Sequence, residues 1–171
     1  MNRETPEFVT EMLTAEHELD HFDSGEAETD TSLRRNALRA QQQGSARTRV
    51  LSRVGHHRVL GYYAISPHDT HRDDVPSAAA GGLRIVRGYL VAQLAVDRSL
   101  QGQGIGGELL LDALVTIASA AQTVGGRLVV VDSVNESAVA FYEHHGFIRI
   151  GDSRRLYQKI SRIQLSLTTD S

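Results

Sequence analysis

Hydrophobic residues recur along the chain at two spacings, one helical and one typical of strands. In residues 106–123 apolar side chains return every three or four positions, which places them on one face of a helix. Residues 127–132 (RLVVVD) are almost continuously apolar, as expected of a strand covered on both faces. Residues 89–96 (YLVAQLAV) form a second apolar run. The pattern predicts that strands and helices alternate in this part of the chain.

Upstream of these elements the pattern predicts one helix and a hairpin. Residues 26–43 have helical periodicity, and Ser24 could cap the helix that Gly44 ends. Two β-rich runs, 48–54 and 58–65, flank a short turn that contains glycine. Such a pair of runs is typical of a β-hairpin.

The remaining segments predict shorter elements. The first 22 residues are weakly patterned and suggest an early strand or a docking segment around His17, Leu19 and Phe22. Residues 66–82 are small and polar and are predicted as a loop. A helix and two final strands are expected over 135–145, 147–150 and 155–160. We therefore expect a single α/β (α+β) domain over residues 1–171, with a mixed central sheet flanked by helices.

Composition excludes several classes of protein. The chain of 171 residues suits one domain, and its lack of cysteine excludes a disulfide framework, a thiolate zinc site and a cysteine nucleophile. No metal site is expected. The sequence shows no apolar stretch near the ~20 residues of a transmembrane helix and no secretory signal at its start. We expect a cytoplasmic protein without membrane association.

Charge is unevenly distributed. The first 30 residues contain ten acidic residues and one basic residue, and residues 1–23 form an acidic N-terminal segment. The remaining 141 residues contain 17 basic and 11 acidic residues, a net charge of +6. Residues 31–60 hold seven arginines and two histidines but no acid. A local basic face of this kind indicates an anionic partner, although a solvated protein surface has the same composition.

The turn between the apolar strand 89–96 and the long helix is rich in glycine. It reads Gln101-Gly102-Gln103-Gly104-Ile105-Gly106-Gly107. Without Cβ atoms, backbone N–H groups can approach a bulky anion, and the helix adds unpaired donors with the positive end of its dipole. No Gly-Lys-Ser/Thr follows, and a hairpin precedes the turn, so a P-loop and a dinucleotide-binding fold fit poorly. The turn predicts a pyrophosphate site, the alternative being a tight connection without ligand.

Two segments resemble the GNAT N-acetyltransferase superfamily. Residues 101–106 (QGQGIG) are similar to its acyl-CoA motif Q/R-x-x-G-x-G/A. Residues 135–147 (NESAVAFYEHHGF) are similar to its segment N-x-x-A-x-x-F-Y-x-x-x-G-F. The resemblance spans the GNAT core, residues 46–160, and implies acetyl-CoA as co-substrate.

A narrower resemblance covers nearly the whole chain. The segments FDSGEAETDTSLRRNALR, GSARTRV and LAVDRSLQGQGIGGELLLDAL resemble the TacT-type GNAT toxins of bacterial toxin–antitoxin pairs. This resemblance implies acetylation of the α-amine of aminoacyl-tRNA, which blocks translation. It also implies a ribbon-helix-helix antitoxin as partner, and a homodimer is a further expected assembly. The alternatives are a GNAT enzyme for a small amine or a protein N-terminus, and a CoA-binding module without turnover.

The GNAT resemblance assigns roles to individual residues. It implies that Tyr142 is the general acid that protonates the leaving thiolate, whereas the sequence without the motif favours a helix tyrosine with a satisfied hydroxyl. Asn135 caps its helix and, by resemblance, also contacts CoA. The coenzyme-binding backbone groups are implied to be those of Leu94, Ala95 and Val96 and of Gln101, Gly102, Gln103, Gly104, Ile105, Gly106 and Gly107. No residue stands out as a general base.

Acceptor binding would need cations that contact phosphates. The expected tRNA contacts are Arg34, Arg35, Arg39, Arg47, Arg49, Arg84 and Arg87. Arginine forks suit phosphate, and such contacts are salt-sensitive and largely independent of sequence. Each of these residues also fits an ordinary surface role.

Overall fold

Seven strands and six α-helices are present in the computed structural model, which describes residues 7–169. The strands are β1 Phe8–Met12, β2 Arg47–Arg53, β3 Gly61–His71, β4 Ile85–Val96, β5 Leu128–Asp132, β6 Ile148–Arg149 and β7 Arg155–Lys159. The helices are α1 Ala27–Thr31, α2 Leu38–Gln42, α3 Ser77–Ala80, α4 Ile105–Val124, α5 Glu136–His144 and α6 Ile160–Thr169. A π-helical segment, Ser32–Ala37, joins α1 to α2, and short 3-10 helices span Arg72–Asp74 and Arg98–Leu100.

The strands form one mixed sheet. Its order is β1-β2-β3-β4-β5-β7-β6. β1 pairs antiparallel with β2, β4 pairs parallel with β5, and β7 pairs antiparallel with both β5 and β6. The parallel pair needs a long crossover, which α4 provides. The expected α/β fold with a mixed sheet and flanking helices is confirmed.

The described chain divides into two compact units. The first comprises the described residues of Met1–Ala64 together with Gln93–Leu110. Its core joins the helical run to the strands through Leu33, Val50 and Tyr62, all almost fully buried. Phe22 packs edge-on against Tyr62, with ring centroids 5.6 Å apart, and the Tyr62 hydroxyl donates to the Thr29 carbonyl at 2.7 Å. This hydrogen bond satisfies the polar end of a buried aromatic ring.

The second unit comprises Ile65–Ala92 and the described residues of Leu111–Ser171. Val86, Leu128 and Tyr157 belong to its core. At Gly88 the strands β4 and β5 approach so closely that a Cβ atom would lie 2.1 Å from the Leu128 carbonyl oxygen. Only glycine fits this register.

The helix expected over 26–43 is confirmed, with two differences. The residue at its N-cap is Glu26, not Ser24, and no side-chain hydrogen bond caps the helix there. Ser24 instead donates its hydroxyl to the buried Asp30 carboxylate at 2.6 Å. The π-helical segment was not expected, because a helical periodicity does not distinguish one wider turn. Gly44, with φ +76°, follows the last turn as predicted.

Three further features differ from the expectations in part. The early strand is β1, which lies before His17, Leu19 and Phe22. These residues form the alternative, a docking segment, with Phe22 buried in the core of the first unit and Leu19 packed against it. The predicted loop 66–82 is wrong, because β3 continues to His71 and α3 follows. The helix α6 after the last strand was not predicted. Part of the predicted acidic N-terminal segment, residues 1–6, lies outside the described residues.

The helix α4 has 20 residues and enough apolar character to cross a membrane by length and composition alone. The expectation that no such stretch exists was therefore too broad. Leu109, Ala113 and Ile117 on this helix are almost fully buried within the protein. Burial of this face is what a core helix requires.

Candidate active site

Asp97 organises the entry to the glycine-rich turn. Its buried carboxylate accepts hydrogen bonds from the Asp23 N–H at 3.0 Å, from the Ser99 N–H at 3.0 Å and from the Ser99 hydroxyl at 2.8 Å. Burial alone would raise the pKa of Asp97, but these hydrogen bonds and the charge of Arg58 bring the pKa below its ordinary value. A charged Asp97 thus fixes the 3-10 turn that precedes the glycines.

Gln101 connects the start of the turn to its surroundings. Its side-chain amide donates to the Val96 carbonyl at 2.9 Å and to the Ser24 carbonyl at 2.8 Å. The Gln101 side chain is therefore engaged within the first unit. Its backbone N–H also donates to the Arg98 carbonyl, at 3.4 Å, so the amides that follow Gln101 are the stronger candidates for a coenzyme contact.

The glycine-rich turn is open and left-handed at two positions. Gly102 has φ +81° and Gly104 has φ +80°, which L side chains rarely adopt. Within the described part of the chain, a Cβ atom at either position would have no neighbour within 4 Å. Glycine is thus required by conformation rather than by packing. Gln103 is exposed, whereas Ile105 is buried and anchors the start of α4.

The amides that begin α4 are potential anion donors. Those of Ile105, Gly106 and Gly107 lie in the first helical turn, where no intrahelical carbonyl can accept from them. The 20-residue helix behind them adds the positive end of its dipole. The backbone of this turn therefore suits a phosphate or pyrophosphate group.

Leu94, Ala95 and Val96 end β4 before the turn. Ala95 is buried in the core of the first unit with Val50 and Tyr62. The Asp97 N–H donates to the Leu60 carbonyl at 2.8 Å, which holds the strand end in place. The Ala95 side chain thus packs in the core as expected, whereas Leu94 and Val96 are half-buried. A coenzyme contact by the backbone of these residues remains a prediction.

Tyr142 lies on α5 in the second unit and is only 5% exposed. Its ring packs edge-on against Phe141 and Phe147, with centroid distances of 5.2 and 5.6 Å. Burial and the negative charge of Asp132 raise the pKa of Tyr142 well above that of a free phenol. The hydroxyl therefore keeps its proton at neutral pH, which a proton donor requires.

Asn135 is the N-cap of α5. Its side-chain oxygen accepts from the Ala138 N–H at 2.9 Å, and its own backbone is extended. The expected cap is confirmed. The second expected role, a hydrogen bond to CoA, remains a prediction.

The arginines expected to bind tRNA in the first unit are mostly engaged within the chain. Arg35 is exposed on the helical run, whereas four others donate to nearby oxygens. The pairs are Arg34 to the Phe22 carbonyl at 2.9 Å, Arg39 to Asn36 at 3.2 Å, Arg47 to the Gln41 carbonyl at 2.8 Å and Arg49 to the Thr10 carbonyl at 3.1 Å. These contacts favour a partly structural role.

Arg84 and Arg87 lie in the second unit. Both are exposed, and Arg87 forms an ion pair with Asp69. The Arg84 carbonyl accepts from the Arg72 N–H at 2.9 Å. A carboxylate beside Arg87 competes with phosphate for the guanidinium, so this residue is a weaker candidate for an RNA contact than its charge suggests.

A polar cluster in the second unit was not expected from the sequence. Arg155 binds Asp132 through two hydrogen bonds of 2.7 and 2.9 Å, and His68 Nε2 lies 3.5 Å from the same guanidinium. Burial and the charge of Arg155 lower the pKa of His68, against the opposite effect of Asp132 and Asp69. No sequence signal joins these residues, because strands distant along the chain bring them together.

No group of three or more histidine, cysteine, aspartate or glutamate side chains suited to a metal ion occurs within residues 7–169.

Comparisons with known proteins identify this architecture. A family model of the acetyltransferase (GNAT) domain matches residues 48–149. A tRNA-acetylating toxin of Mycobacterium tuberculosis (strain ATCC 25618 / H37Rv) is 38% identical over 127 residues, which cover 74% of this chain and 75% of the relative. The solved structure of AtaT complexed with acetyl-methionyl-tRNAfMet is similar with a TM-score of 0.86 and 30% identity, over 94% of this chain and 99% of that one.

A second solved structure points the same way. It contains a mutant of the toxin AtaT bound to the C-terminus of the antitoxin AtaR and to acetyl-CoA. It has a TM-score of 0.84 and 30% identity, and covers 95% of this chain and 99% of its own. From its motifs, its fold and these relatives, the chain belongs to the GNAT acetyltransferase family.

Proposed function

We propose that this protein is an acetyl-CoA-dependent N-acetyltransferase that acetylates the α-amine of aminoacyl-tRNA, and that it acts as the toxin of a toxin–antitoxin pair. The observation that carries the proposal is the 38% identity to a tRNA-acetylating toxin over three quarters of both chains. The likeness to AtaT in complex with acetyl-methionyl-tRNAfMet supports the same acceptor class.

The coenzyme is proposed to be held by the backbone of the glycine-rich turn. The amides from Gly102 to Gly107 would donate to the diphosphate, and the dipole of α4 favours its negative charge. The Gln101 N–H, expected to join them, already donates to the Arg98 carbonyl. The open space at Gly102 and Gly104 leaves the backbone accessible to such a group. Leu94, Ala95 and Val96 would contribute backbone hydrogen bonds to the pantetheine arm, and Asn135 one further contact. Acetyl-CoA supplies an activated acetyl group as a thioester.

Tyr142 is proposed to complete the transfer as the general acid. The amine nitrogen bonds to the acetyl carbon as the carbon–sulfur bond breaks, and the leaving sulfur takes the phenolic proton of Tyr142. The raised pKa of Tyr142 keeps that proton available throughout the neutral range. The amine proton passes to water, directly or by way of a backbone carbonyl, and the Tyr142 phenolate regains its proton from water. The α-amine of an aminoacyl ester is readily neutral and needs no dedicated base.

The partner of the toxin is proposed to be an antitoxin with a ribbon-helix-helix domain. The complex of AtaT with the C-terminus of AtaR supports an antitoxin as the partner. The ribbon-helix-helix domain is proposed from the family resemblance. A cytoplasmic location fits the same function, because charged tRNA is a cytoplasmic substrate. A homodimer is proposed as the assembly from the family resemblance.

Turnover on charged tRNA tests the proposal. The protein is incubated with radiolabelled acetyl-CoA and either a pool of aminoacyl-tRNA or a panel of free amines and peptide N-termini. We expect label in the aminoacyl-tRNA and far lower kcat/KM for the other acceptors. Efficient turnover of free amines with unlabelled tRNA would favour a small-molecule or N-terminal acetyltransferase, and coenzyme binding without any turnover would favour a binding module.

A further inference from the structure

A cavity of about 300 Å³ lies in the first unit, outside the glycine-rich turn. Its lining is formed by Arg53, His56, Arg58, Leu60, Ser99 and Leu100. The two leucines are buried, whereas the three basic residues are exposed. The cavity thus combines an apolar base with basic side chains that solvent can reach.

Two of the polar lining residues already have partners. Arg53 forms an ion pair with Glu7 and lies over the Phe8 ring, 5.0 Å from its centroid. The Ser99 hydroxyl donates to Asp97. These contacts shape the cavity but leave little donor capacity for a ligand.

His56 and Arg58 differ from Arg53 and Ser99 in their side-chain contacts. Among residues 7–169, neither side chain has a hydrogen bond or an ion pair within 4 Å. Arg58 acts on Asp97 only through its longer-range charge. A cavity is therefore lined by a guanidinium fork and an imidazole whose donors are available.

The chemistry of the lining fits one nucleotide unit of a nucleic acid. A guanidinium binds phosphate oxygens bidentately, and an imidazole N–H can add a further donor. Leu60 and Leu100 offer an apolar surface for a ribose. Residues 31–60 contain no acid, and the carboxylates that reach the cavity lining from other segments, Glu7 and Asp97, bind Arg53 and Ser99.

We propose that this cavity binds a backbone phosphate of the tRNA substrate through Arg58 and His56. The inference rests on the proposed function and deepens it. Arg58 and His56 belong to the basic stretch 31–60, but neither is among the residues expected from the sequence to contact tRNA. The position of Ser99 and Leu100, directly before Gln101, links the cavity to the proposed coenzyme turn along the chain. The diphosphate of the coenzyme has its own donors in that turn, so the cavity is assigned to the acceptor.

The test compares Arg58→Gln with Arg98→Gln. Both remove one exposed positive charge from the same unit, but Arg98 pairs with Asp23 and does not line the cavity. Binding of fluorescently labelled, uncharged tRNA is measured by anisotropy over a range of salt concentrations, and kcat/KM for charged tRNA is measured in parallel.

Loss of a phosphate contact has a distinct signature. We expect Arg58→Gln to weaken tRNA binding about tenfold and to reduce the slope of log K against log salt by about one. kcat/KM for charged tRNA should fall to the same extent. We expect Arg98→Gln to change tRNA affinity by less than about threefold, because an exposed charge in an ion pair contributes little. Equal effects of the two variants would overturn the proposal, since a general field would then explain both.

A control experiment tests the other source of phosphate, which is the 3′-phosphate of the coenzyme. Calorimetry with CoA and with dephospho-CoA shows whether Arg58 binds that phosphate. We expect Arg58→Gln to leave the ratio of the two affinities unchanged, because any effect of Arg58 through Asp97 on the turn acts on both coenzymes alike. A loss of affinity for CoA but not for dephospho-CoA would assign the cavity to the coenzyme and overturn the proposal.

Failure of the inference is distinguishable from failure of the proposed function. If the unmodified protein acetylates charged tRNA and Arg58→Gln does so equally well, the cavity assignment alone is wrong. If the unmodified protein acetylates no charged tRNA, the proposed function is wrong, and the binding experiment still decides whether the cavity takes an RNA phosphate.

Discussion

Tyr142 is the residue on which the chemical step depends. Replacing Tyr142 with Phe removes only the hydroxyl, and the ring can still pack against Phe141 and Phe147. We expect kcat to fall about a hundredfold or more, with the KM for acetyl-CoA nearly unchanged, because proton donation acts in the transition state. Steady-state kinetics checks this, and weakened coenzyme binding with unchanged kcat would refute the assigned role.

The ionisation of Tyr142 also predicts the alkaline limb of the rate profile. Because burial and Asp132 raise its pKa, the phenol stays protonated well above neutral pH. We expect kcat to show no decline from loss of this proton up to about pH 10, the ordinary pKa of tyrosine. A fall in kcat between pH 7 and 9 with the slope of a single ionisation would contradict this prediction if the Phe variant lacks that fall.

At Gly104 the backbone conformation and the binding role can be separated. Gly104→Ala places a side chain at φ +80°, which costs about 1–2 kcal/mol and shifts the turn. Gly82→Ala is the matched control, because Gly82 has φ +83° and equally open space outside the turn. We expect both variants to lose similar stability in urea unfolding, while only Gly104→Ala loses affinity for CoA by calorimetry. Equal CoA affinity of the two variants would speak against a diphosphate site at this turn.

At the scale of elements, the pairing of β4 with β5 depends on Gly88. Gly88→Ala would place a Cβ atom 2.1 Å from the Leu128 carbonyl oxygen, so the backbones must separate. We expect a loss of about 3 kcal/mol in the free energy of unfolding, at the upper end of overpacking effects. Gly55→Ala, at φ +81° in open space, should lose only the cost of its conformation, about 1–2 kcal/mol. Similar losses in both variants would refute the close approach.

Elements with strong periodicity could be predicted from the sequence, and those defined by distant partners could not. The apolar face of α4 and the continuous run of β5 are local signals. By contrast, the polar second half of β3 is a strand because neighbouring strands pair with it, which its sequence does not reveal. The glycine-rich turn was likewise found from local sequence, whereas the cluster of Arg155, Asp132 and His68 exists only in the folded chain.

At the scale of the whole molecule, buried tyrosines determine stability at high pH. Burial and the charge of Asp30 raise the pKa of Tyr62, against a hydrogen bond from Ser32, and Tyr142 is raised as well. Above about pH 10 the unfolded chain loses protons that the native chain keeps, so stability is complete below this pH and falls as the pH rises.

Tyr62→Phe tests this dependence. The variant loses the hydrogen bond to Thr29, about 1 kcal/mol at every pH, but removes one group from the titration. We expect the fall in unfolding free energy above about pH 10 to be shallower by about 1.4 kcal/mol per pH unit. Urea unfolding at several alkaline pH values measures the slope, and an unchanged slope would show that Tyr62 titrates alike in both states.

The proposed reaction transfers acetyl from acetyl-CoA to the α-amine of the amino acid that tRNA carries. The most direct measurement is mass spectrometry of the 3′-terminal aminoacyl-adenosine released by nuclease after incubation with acetyl-CoA. We expect an added acetyl group on the amino acid with the unmodified protein, and its near absence with Tyr142→Phe. Unmodified aminoacyl-adenosine in both reactions, from protein shown to bind acetyl-CoA, would contradict it.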